Sequence, residues 1–395
     1  MSKIFFPYIY HGSIAHKYYL RFQYRTPQKP EPQVFSTIFS TGIRELFKDE
    51  FENAYIHLLD QMLLYDVCNI PVEDVIYLIG TLGYELTMKL VQSPGIQLFD
   101  SLSNRIGLLF GPLNEWMMFN EKSPETEASI SIRIDKIYEP IKNKFEFRSE
   151  WKTPLIQLFK KAYFINDLNT LFKDTELQTI QDLHKPGVKQ VLEMSPAVTS
   201  NNVSEQQYKA NRLLHYHYHR RIASLLKCDY LYVPVELEGV YDYYSHLNTS
   251  KKDKLGAIFE KITKLERIPD IPSLIKNGVL TVEDILQIRE SSSAKKFRKW
   301  IDTLNKSQAE DIDLDEYTSL YHEACMTNNK FKTAYNSKAG SAVRTIGLVA
   351  IGAASSGLGL GLTFVDYLVS AGLDDYNPAS YTRENLKTFI NKKTK

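Results

Sequence analysis

The residues best suited to chemistry lie close together in the stretch NRLLHYHYHRRIASLLK, residues 211–227. Three of the nine histidines of the chain, His215, His217 and His219, alternate there with two tyrosines and precede two arginines. On a strand the three imidazoles would point the same way, whereas on a helix only His215 and His219 would be neighbours, four residues apart. Apolar residues on both flanks recur at helical spacing, which favours a helix over 208–228.

Three interpretations of this helix remain open. In the first, it is an amphipathic helix that packs on one side and carries its histidines and arginines on a polar flank. In the second, Arg220 and Arg221 contact nucleic-acid phosphates while Tyr216 stacks on a base. In the third, His215 and His219 bind a metal ion, although the residues between them do not form the H-E-x-x-H arrangement of zinc hydrolases.

A pair of carboxylates could complete a metal-dependent nucleic-acid hydrolase. Glu236 and Glu238 fall on the polar face of a strand predicted over 229–240, and paired carboxylates are suitable ligands for Mg²⁺. With His215 and His219 they form the catalytic set of this alternative. The chain contains no G-x-x-x-x-G-K-[ST] phosphate loop. We therefore favour a protein that is not an enzyme, and we predict neither a bound metal nor a cofactor.

The segment TIGLVAIGAASSGLGLGLTFV, residues 345–365, has a composition unlike the rest of the chain. Its 21 residues include no charged side chain, and as a straight helix they would span about 31 Å, close to the thickness of a bilayer core. Small residues four positions apart, as in the pair Gly357/Gly361, allow helices to approach closely. We predict an apolar Gly-rich helical hairpin that bends within SSGLGLG, residues 355–361. It is either buried in a soluble core or at an oligomer interface, or it enters a membrane; a dinucleotide-binding loop is the least favoured alternative, because GLGLG lacks the G-x-G-x-x-G spacing. The glycines assigned to this contact surface are Gly352, Gly357, Gly359 and Gly361.

A basic amphipathic helix is predicted within SSSAKKFRKWIDTLNK, residues 291–306. Phe297, Trp300, Ile301 and Leu304 share one face of this helix. The opposite face carries basic side chains that could contact a membrane surface or nucleic acid, although such a face is more often simply solvated. The basic residues assigned to surface contacts are Lys295, Lys296, Arg298 and Lys299.

The elements that would position these residues are mainly helical, with a minor β component, in an α+β arrangement. FFPYIY near the N-terminus and GIQLFD at 95–100 are predicted strands, and PVEDVIYLIGTLGYELTMKLVQSPG, beginning at Pro71, is predicted to form two short helices separated at Gly80 or Gly83. Thr281 with Asp284 is expected to cap a further helix. We divide the chain into an N-terminal α+β domain (1–120), a helical segment (130–190), a helical domain with one or two strands (205–330), and a hairpin with a basic tail (338–395).

Overall composition limits the partners that the protein can have. The 395 residues carry 48 basic and 47 acidic side chains, so binding to nucleic acid or anionic lipid has to depend on local charge. Cys68, Cys228 and Cys325 form no CxxC pair, which argues against a disulfide framework and favours a reducing, cytoplasmic location. The N-terminal residues lack the apolar region of a signal peptide. Membrane association is therefore expected to be peripheral or conditional.

Residues 265–395 resemble, in general style, bacterial accessory proteins of mobile-element and defence loci. The resemblance lies in RIPDIPSLIKNGVLTVEDILQIRES, in KKFRKW and in an apolar small-residue segment before a short tail. It implies an effector subunit of antiviral defence that acts through binding. The sequence thus predicts a non-catalytic interaction protein with a protein partner or a homo-oligomer, and with contact to a membrane or an oligomer interface through 345–365. Nucleic acid is the less favoured partner.

Overall fold

A computed structural model describes twelve parts of the chain. These are residues 2–6, 54–100, 126–138, 145–165, 168–183, 185–188, 205–232, 255–307, 321–322, 324–325, 373 and 376–394. The chain divides into two compact units, each built from separated stretches of sequence. One, here called the sheet unit, comprises Lys3–Leu58 and Val67–Lys252. The other, the helical unit, comprises Met1–Ser2, Leu59–Asp66 and Asp253–Lys395.

The sheet unit contains a five-stranded sheet in which all neighbouring strands are parallel. The order across the sheet is β4-β3-β2-β1-β5. Parallel strands are normally covered by helices on both faces, so their sequences are apolar throughout. The five strands are β1 (Lys3–Phe5), β2 (Val67–Pro71), β3 (Ile96–Asp100), β4 (Tyr163–Phe164) and β5 (Tyr230–Leu231).

Helices make up most of the described chain. Those that follow the sheet strands are α1 (Ala54–Leu64), α2 (Asp74–Leu82), α3 (Tyr84–Val91), α4 (Glu127–Tyr138), α5 (Lys152–Lys161), α6 (Leu168–Leu183) and α7 (Glu205–Leu225). The helical unit continues with α8 (Leu255–Leu265), α9 (Ile271–Lys276), α10 (Val282–Glu290) and α11 (Ser292–Ser307). Its last helix, α12, is formed by Ala379–Tyr381, a wider π-helical turn Thr382–Lys387, and Thr388–Lys393. A mainly helical chain with a small β component is therefore confirmed.

Two local predictions agree with the structure and one does not. Gly83 has φ +81°, a conformation that glycine adopts without strain, and it separates α2 from α3 as predicted. Thr281 and Asp284 form the expected capping box at the start of α10. Pro71, however, ends β2 instead of opening a helix. The prediction failed because β2 is buried along its whole length and so shows no alternation of polar and apolar residues.

One face of the sheet is covered by α7. The ring centres of Phe5 in β1 and Phe99 in β3 lie 5.4 Å apart. Tyr218 and Ile222 of α7 belong to the same buried cluster. Helix α6 packs in turn against α7. Helix α7, which carries the three histidines, therefore lies inside the sheet unit between the β-sheet and α6.

The core of the helical unit is aromatic. Phe297 and Trp300 of α11 are fully buried, and the Phe297 ring lies 4.7 Å from that of Tyr381 in α12. Trp300 meets Tyr321 edge-on at 6.1 Å. These contacts fix α12 against α11, because buried aromatic pairs combine a large apolar area with a preferred geometry.

Among the residues that the structure describes, no helix is long and apolar enough to cross a membrane. The predicted hairpin at 345–365 lies outside those residues.

Candidate functional site

The histidines of α7 do not share one environment. His219 is buried on the sheet side, where its ring centre lies 5.7 Å from that of Phe5. His217 is also buried, but its Nε2 lies 3.1 Å from the Asp182 carboxylate of α6. The side chain of His215 is not among the described ones. The two histidines with described side chains thus contact opposite neighbours of α7.

The His217–Asp182 contact favours a structural role over a catalytic one. Burial lowers the pKa of His217 to about 4, and it outweighs the nearby Asp182 carboxylate, which acts in the opposite direction. The imidazole is therefore neutral at pH 7. Asp182 also accepts a hydrogen bond from Gln178 at 3.0 Å and pairs with Lys185 at 2.6 Å. The contact joins α6 to α7 and provides no imidazolium for catalysis.

The metal-dependent alternative gains no support in the part of the chain that the structure describes. No three His, Cys, Asp or Glu side chains of that part are grouped so that they could hold a metal ion. Glu236 and Glu238 lie outside the described residues, as do Gly352, Gly357, Gly359 and Gly361. The predicted strand 229–240 is seen only at its start, as β5.

Neither Cys228 nor Cys325 is an activated nucleophile. Burial raises the pKa of the Cys228 thiol to about 12, and Asn69 Nδ2 donates to its sulfur at 3.4 Å. Burial likewise raises the pKa of Cys325. Because the thiolate is the reactive form, both thiols are protonated and unreactive at neutral pH.

A buried ion cluster lies at the carboxyl ends of β2 and β3. Arg133 of α4 donates to both oxygens of Asp100, the last residue of β3, at 2.6 Å each, and also to Glu73, which follows β2. The guanidinium lies 5.0 Å from the centre of the Phe159 ring. Open α/β sheets usually bind ligands at this edge. Here, however, both Asp100 oxygens are engaged by Arg133, so the cluster ties α4 to the sheet.

The basic helix α11 contains both exposed and buried basic residues. Lys295, Lys296 and Lys299 are exposed, in agreement with the predicted amphipathic pattern. Arg298 is buried instead. Its Nε lies 3.2 Å from Asp66 Oδ1 and its Nη1 donates to the carbonyl oxygen of Arg289 at 3.0 Å. Arg298 is therefore separate from the exposed basic surface to which the sequence had assigned it.

Arg289 is a structurally important residue that the sequence did not single out. It is buried at the end of α10 and donates to the carbonyl oxygens of Met62, Tyr65 and Asp66, at 2.6 Å in the case of Tyr65. These carbonyls lie at the C-terminal end of α1, where a helix has no internal donors left. A cation at this position also complements the helix dipole.

A second polar network in the helical unit joins two parts of the chain that flank residues 326–375. On one side are Tyr321 and Cys325; on the other are Asn377, Thr382 and Arg383. The Tyr321 and Thr382 hydroxyls lie 2.6 Å apart, and Asn377 Nδ2 donates to the Cys325 carbonyl oxygen at 3.4 Å. We call these five residues, together with Glu266, the clasp.

Glu266 is the centre of the clasp. Its carboxylate is nearly buried and accepts from Arg383 at 2.7 and 2.8 Å, a paired geometry that guanidinium and carboxylate form well. Tyr321 donates to the same carboxylate at 2.9 Å. Burial alone would raise the pKa of Glu266, but the hydrogen bonds from Arg383 and Tyr321 outweigh it and hold the pKa below its usual value. Glu266 is therefore ionised at pH 7.

The clasp was not predictable from local patterns. Glu266 and Arg383 are 117 residues apart, and each belongs to a segment that reads as an ordinary solvated helix end. No local pattern in the sequence pairs two residues so far apart. Comparisons of the chain with protein-family models, curated proteins and solved structures give no match. The functional argument therefore depends on the geometry alone.

Proposed function

We propose that the protein is a non-catalytic effector whose uncharged segment 345–365 contacts a membrane. The observation that carries this proposal is the clasp. Residues 321–325 and 377–383 are joined by direct contacts within one unit. The two stretches that flank residues 326–376 in the sequence are therefore held close together.

Flanking stretches that are held together suit one-sided contact of the intervening residues with a bilayer. Segment 345–365 lies near the middle of these residues in the sequence and contains 21 residues without a charge, enough for a span or for a shorter helical hairpin. A hairpin would enter from the side on which its two ends are held. Small residues at four-residue spacing, including Gly357 and Gly361, would let its two arms pack closely.

Helix α12, which follows the segment in the sequence, packs in the core of the helical unit. Tyr381, Leu386 and Ile390 of α12 are fully buried. Asp284 Oδ1 also lies 2.8 Å from Lys393 Nζ, near the end of the helix. The helical unit could therefore present the segment while its own core stays folded.

Vesicle flotation tests the proposal directly. The full chain should float with liposomes, whereas a variant in which 345–365 is replaced by an equally long Gly/Ser linker should remain at the bottom of the gradient. A replacement is preferable to truncation at Lys338, because truncation would also remove α12 and its buried side chains. Equal thermal unfolding of the two proteins would show that the clasp and core are intact.

A point substitution gives a matched control within the segment. Gly357→Asp should reduce the partition into vesicles by about 100-fold, since a charge at the centre of a bilayer costs roughly 2.5–3.5 kcal/mol, whereas Gly357→Ala should leave partition nearly unchanged. The proposal is wrong if the linker variant floats like the parent. It is also wrong if the replacement changes only the oligomeric state in sedimentation, because the segment would then be a protein interface.

A further inference from the structure

Three aromatic side chains of the sheet unit form a surface cluster at the start of α3. Tyr84 is the first residue of α3, and Trp151 ends the short helical turn that precedes α5. Their rings stack with centres 4.9 Å apart and an angle of 4° between the ring planes. Phe147 meets Trp151 edge-on at 5.7 Å. All three side chains are partly exposed, and we call Tyr84, Phe147 and Trp151 the aromatic surface.

Contacts with α4 and α2 hold this surface in place. The Tyr138 hydroxyl of α4 donates to the Phe145 carbonyl oxygen at 2.7 Å and accepts from the Phe147 amide at 3.2 Å. Phe145 packs closely on Gly80 of α2, where an added Cβ would come within 2.8 Å of the Phe145 ring. The aromatic surface is therefore ordered before any partner binds, which lowers the entropic cost of binding.

The charged groups around the aromatic surface favour a cationic ligand. The Arg148 guanidinium carbon lies 5.6 Å from the centre of the Trp151 ring, so the indole already holds a cation. Glu150 Oε1 lies 3.6 Å from Arg148 Nη1. Burial is the largest cause of the raised pKa of Tyr84, and the carboxylates of Glu85 and Glu150 raise it further. Negative charge therefore acts on the stacked rings from two side chains.

The internal arginine is weakly held in this position. The side chains of Arg148 and Glu150 are 67% and 70% exposed. Exposed ion pairs and exposed cation–π contacts each contribute little free energy, so they are readily exchanged for other partners. Lys152, the next cation along the chain, pairs with Asp135 of α4 at 2.7 Å. An external guanidinium can therefore take the place of Arg148 at little cost.

We propose that the aromatic surface binds an arginine side chain from a basic peptide segment of a partner protein. The guanidinium of the ligand replaces Arg148 over Trp151 and pairs with Glu150, two contacts that the chain itself already makes. A guanidinium suits this site better than an ammonium group, because it is planar, stacks on aromatic rings and is more weakly hydrated. A nucleic-acid strand is less suitable, because Glu85 and Glu150 would repel its phosphates. The inference concerns the sheet unit and does not depend on the proposed membrane contact of 345–365.

Peptide binding to the full chain tests the proposal. The probe is a fluorescently labelled, end-blocked heptapeptide of glycine, serine and two arginines, and fluorescence anisotropy measures its binding. The same peptide with citrulline in place of arginine is the ligand control, because citrulline keeps the planar shape but carries no charge. The arginine peptide should bind saturably and the citrulline peptide should not. Added salt should weaken the binding, because the charged contacts are exposed.

Two variants should change the affinity for the arginine peptide in opposite directions. Trp151→Ala should weaken binding about fivefold, because it removes the ring over which the guanidinium lies. Arg148→Ala should strengthen binding about threefold, because it removes the internal competitor. Tyr163→Ala is the matched control and should bind like the parent, since Tyr163 of β4 is an aromatic residue of the same unit that is 51% exposed. Arg148→Ala leaves the stacked rings intact, so it decides the question even if Trp151→Ala lowers the unfolding temperature.

Equal binding of the arginine and citrulline peptides, or no saturable binding of either, would overturn the proposal. Weaker binding by Arg148→Ala than by the parent would also overturn it, because Arg148 would then belong to the binding surface instead of competing for it. Tighter binding of a short single-stranded oligonucleotide than of the arginine peptide, lost in Arg148→Ala, would assign the surface to nucleic acid. None of these results bears on the vesicle experiment, which concerns residues 345–365.

Discussion

At the scale of single residues, burial decides the chemistry of the groups that first attract notice. His217 has a carboxylate beside it, which by itself would favour the imidazolium form. Desolvation is the larger effect and lowers its pKa to about 4. The same physical cause keeps Cys228 protonated. Residue types that suggest catalysis in the sequence therefore become core residues in the fold.

The lowered pKa of His217 predicts a defined pH dependence of stability. Between pH 6.5 and about 4 the unfolded chain binds a proton at this position that the folded chain does not, so acidification destabilises the fold. At pH 5 this histidine should cost about 2 kcal/mol relative to pH 7, from 1.36 kcal/mol for each pKa unit. Urea unfolding of the parent and of His217→Gln at both pH values measures the difference.

The comparison between parent and variant isolates the histidine from the carboxylates, which titrate in both proteins. His217→Gln should lose less stability on acidification than the parent, whatever its stability at pH 7. His322→Gln is the control, because the side chain of His322 is exposed, and it should follow the parent. Equal pH dependence in all three proteins would contradict the assignment of His217 as a buried neutral group.

At the scale of elements, helix α11 shows what sequence periodicity can and cannot provide. The helical period correctly placed Phe297, Trp300 and Ile301 in the core, because each apolar residue contributes its own burial free energy. The period could not reveal that Arg298 turns inward. Its partner Asp66 lies 232 residues earlier in the chain. The position of a charged side chain thus depends on tertiary contacts that no local pattern contains.

Strand β2 illustrates a second limit of sequence patterns. Every residue from Val67 to Pro71 is buried, including Asn69, so neither alternation nor a helical period is present. β3 was predicted from the short stretch GIQLFD, which contains it. β1 was predicted from its aromatic run, although only Lys3–Phe5 falls among the described strand residues. Of the three interior strands, β2 is therefore the one that the sequence signals least clearly.

Arg289 provides the strongest test of an element-level interaction. Replacement by Met keeps most of the side-chain volume but leaves three carbonyl oxygens at the end of α1 without their charged donor. We expect a loss of roughly 3–5 kcal/mol in the free energy of unfolding, because removing one partner of a buried polar contact costs far more than its net contribution. Chemical denaturation measures this loss.

The control for Arg289→Met is Lys264→Met, which removes a charge from an exposed position of α8 that is 73% accessible. It should change stability by less than about 0.5 kcal/mol. Arg289→Lys should fall between the two variants, because one ammonium group cannot reach all three carbonyls in the way that a guanidinium does. A loss below 1 kcal/mol for Arg289→Met would show that water or neighbouring donors replace the guanidinium.

At the scale of the whole molecule, the chain passes repeatedly between its two compact units. The helical unit includes Leu59–Asp66 from the N-terminal part of the sequence as well as everything after residue 252. Arg289 and Arg298 both bind that early segment. The helical unit therefore depends on residues distant in sequence, while the six residues of the clasp all lie within it. A change in the clasp should consequently be felt in one unit only.

This separation gives a prediction for the clasp. Arg383→Gln removes the paired contact with Glu266, which leaves a nearly buried carboxylate with Tyr321 as its remaining side-chain donor. Amide hydrogen exchange should therefore accelerate in α12, residues 379–393, and remain unchanged in α2 and α3 of the sheet unit. Lys392→Gln, an exposed change on the same helix, should leave exchange in α12 at the parent rate.

If Arg383→Gln also leaves amide exchange in α12 unchanged, the apolar contacts of Tyr381, Leu386 and Ile390 hold the helix and the polar clasp is dispensable. If exchange rises equally in both units, the two units do not respond separately.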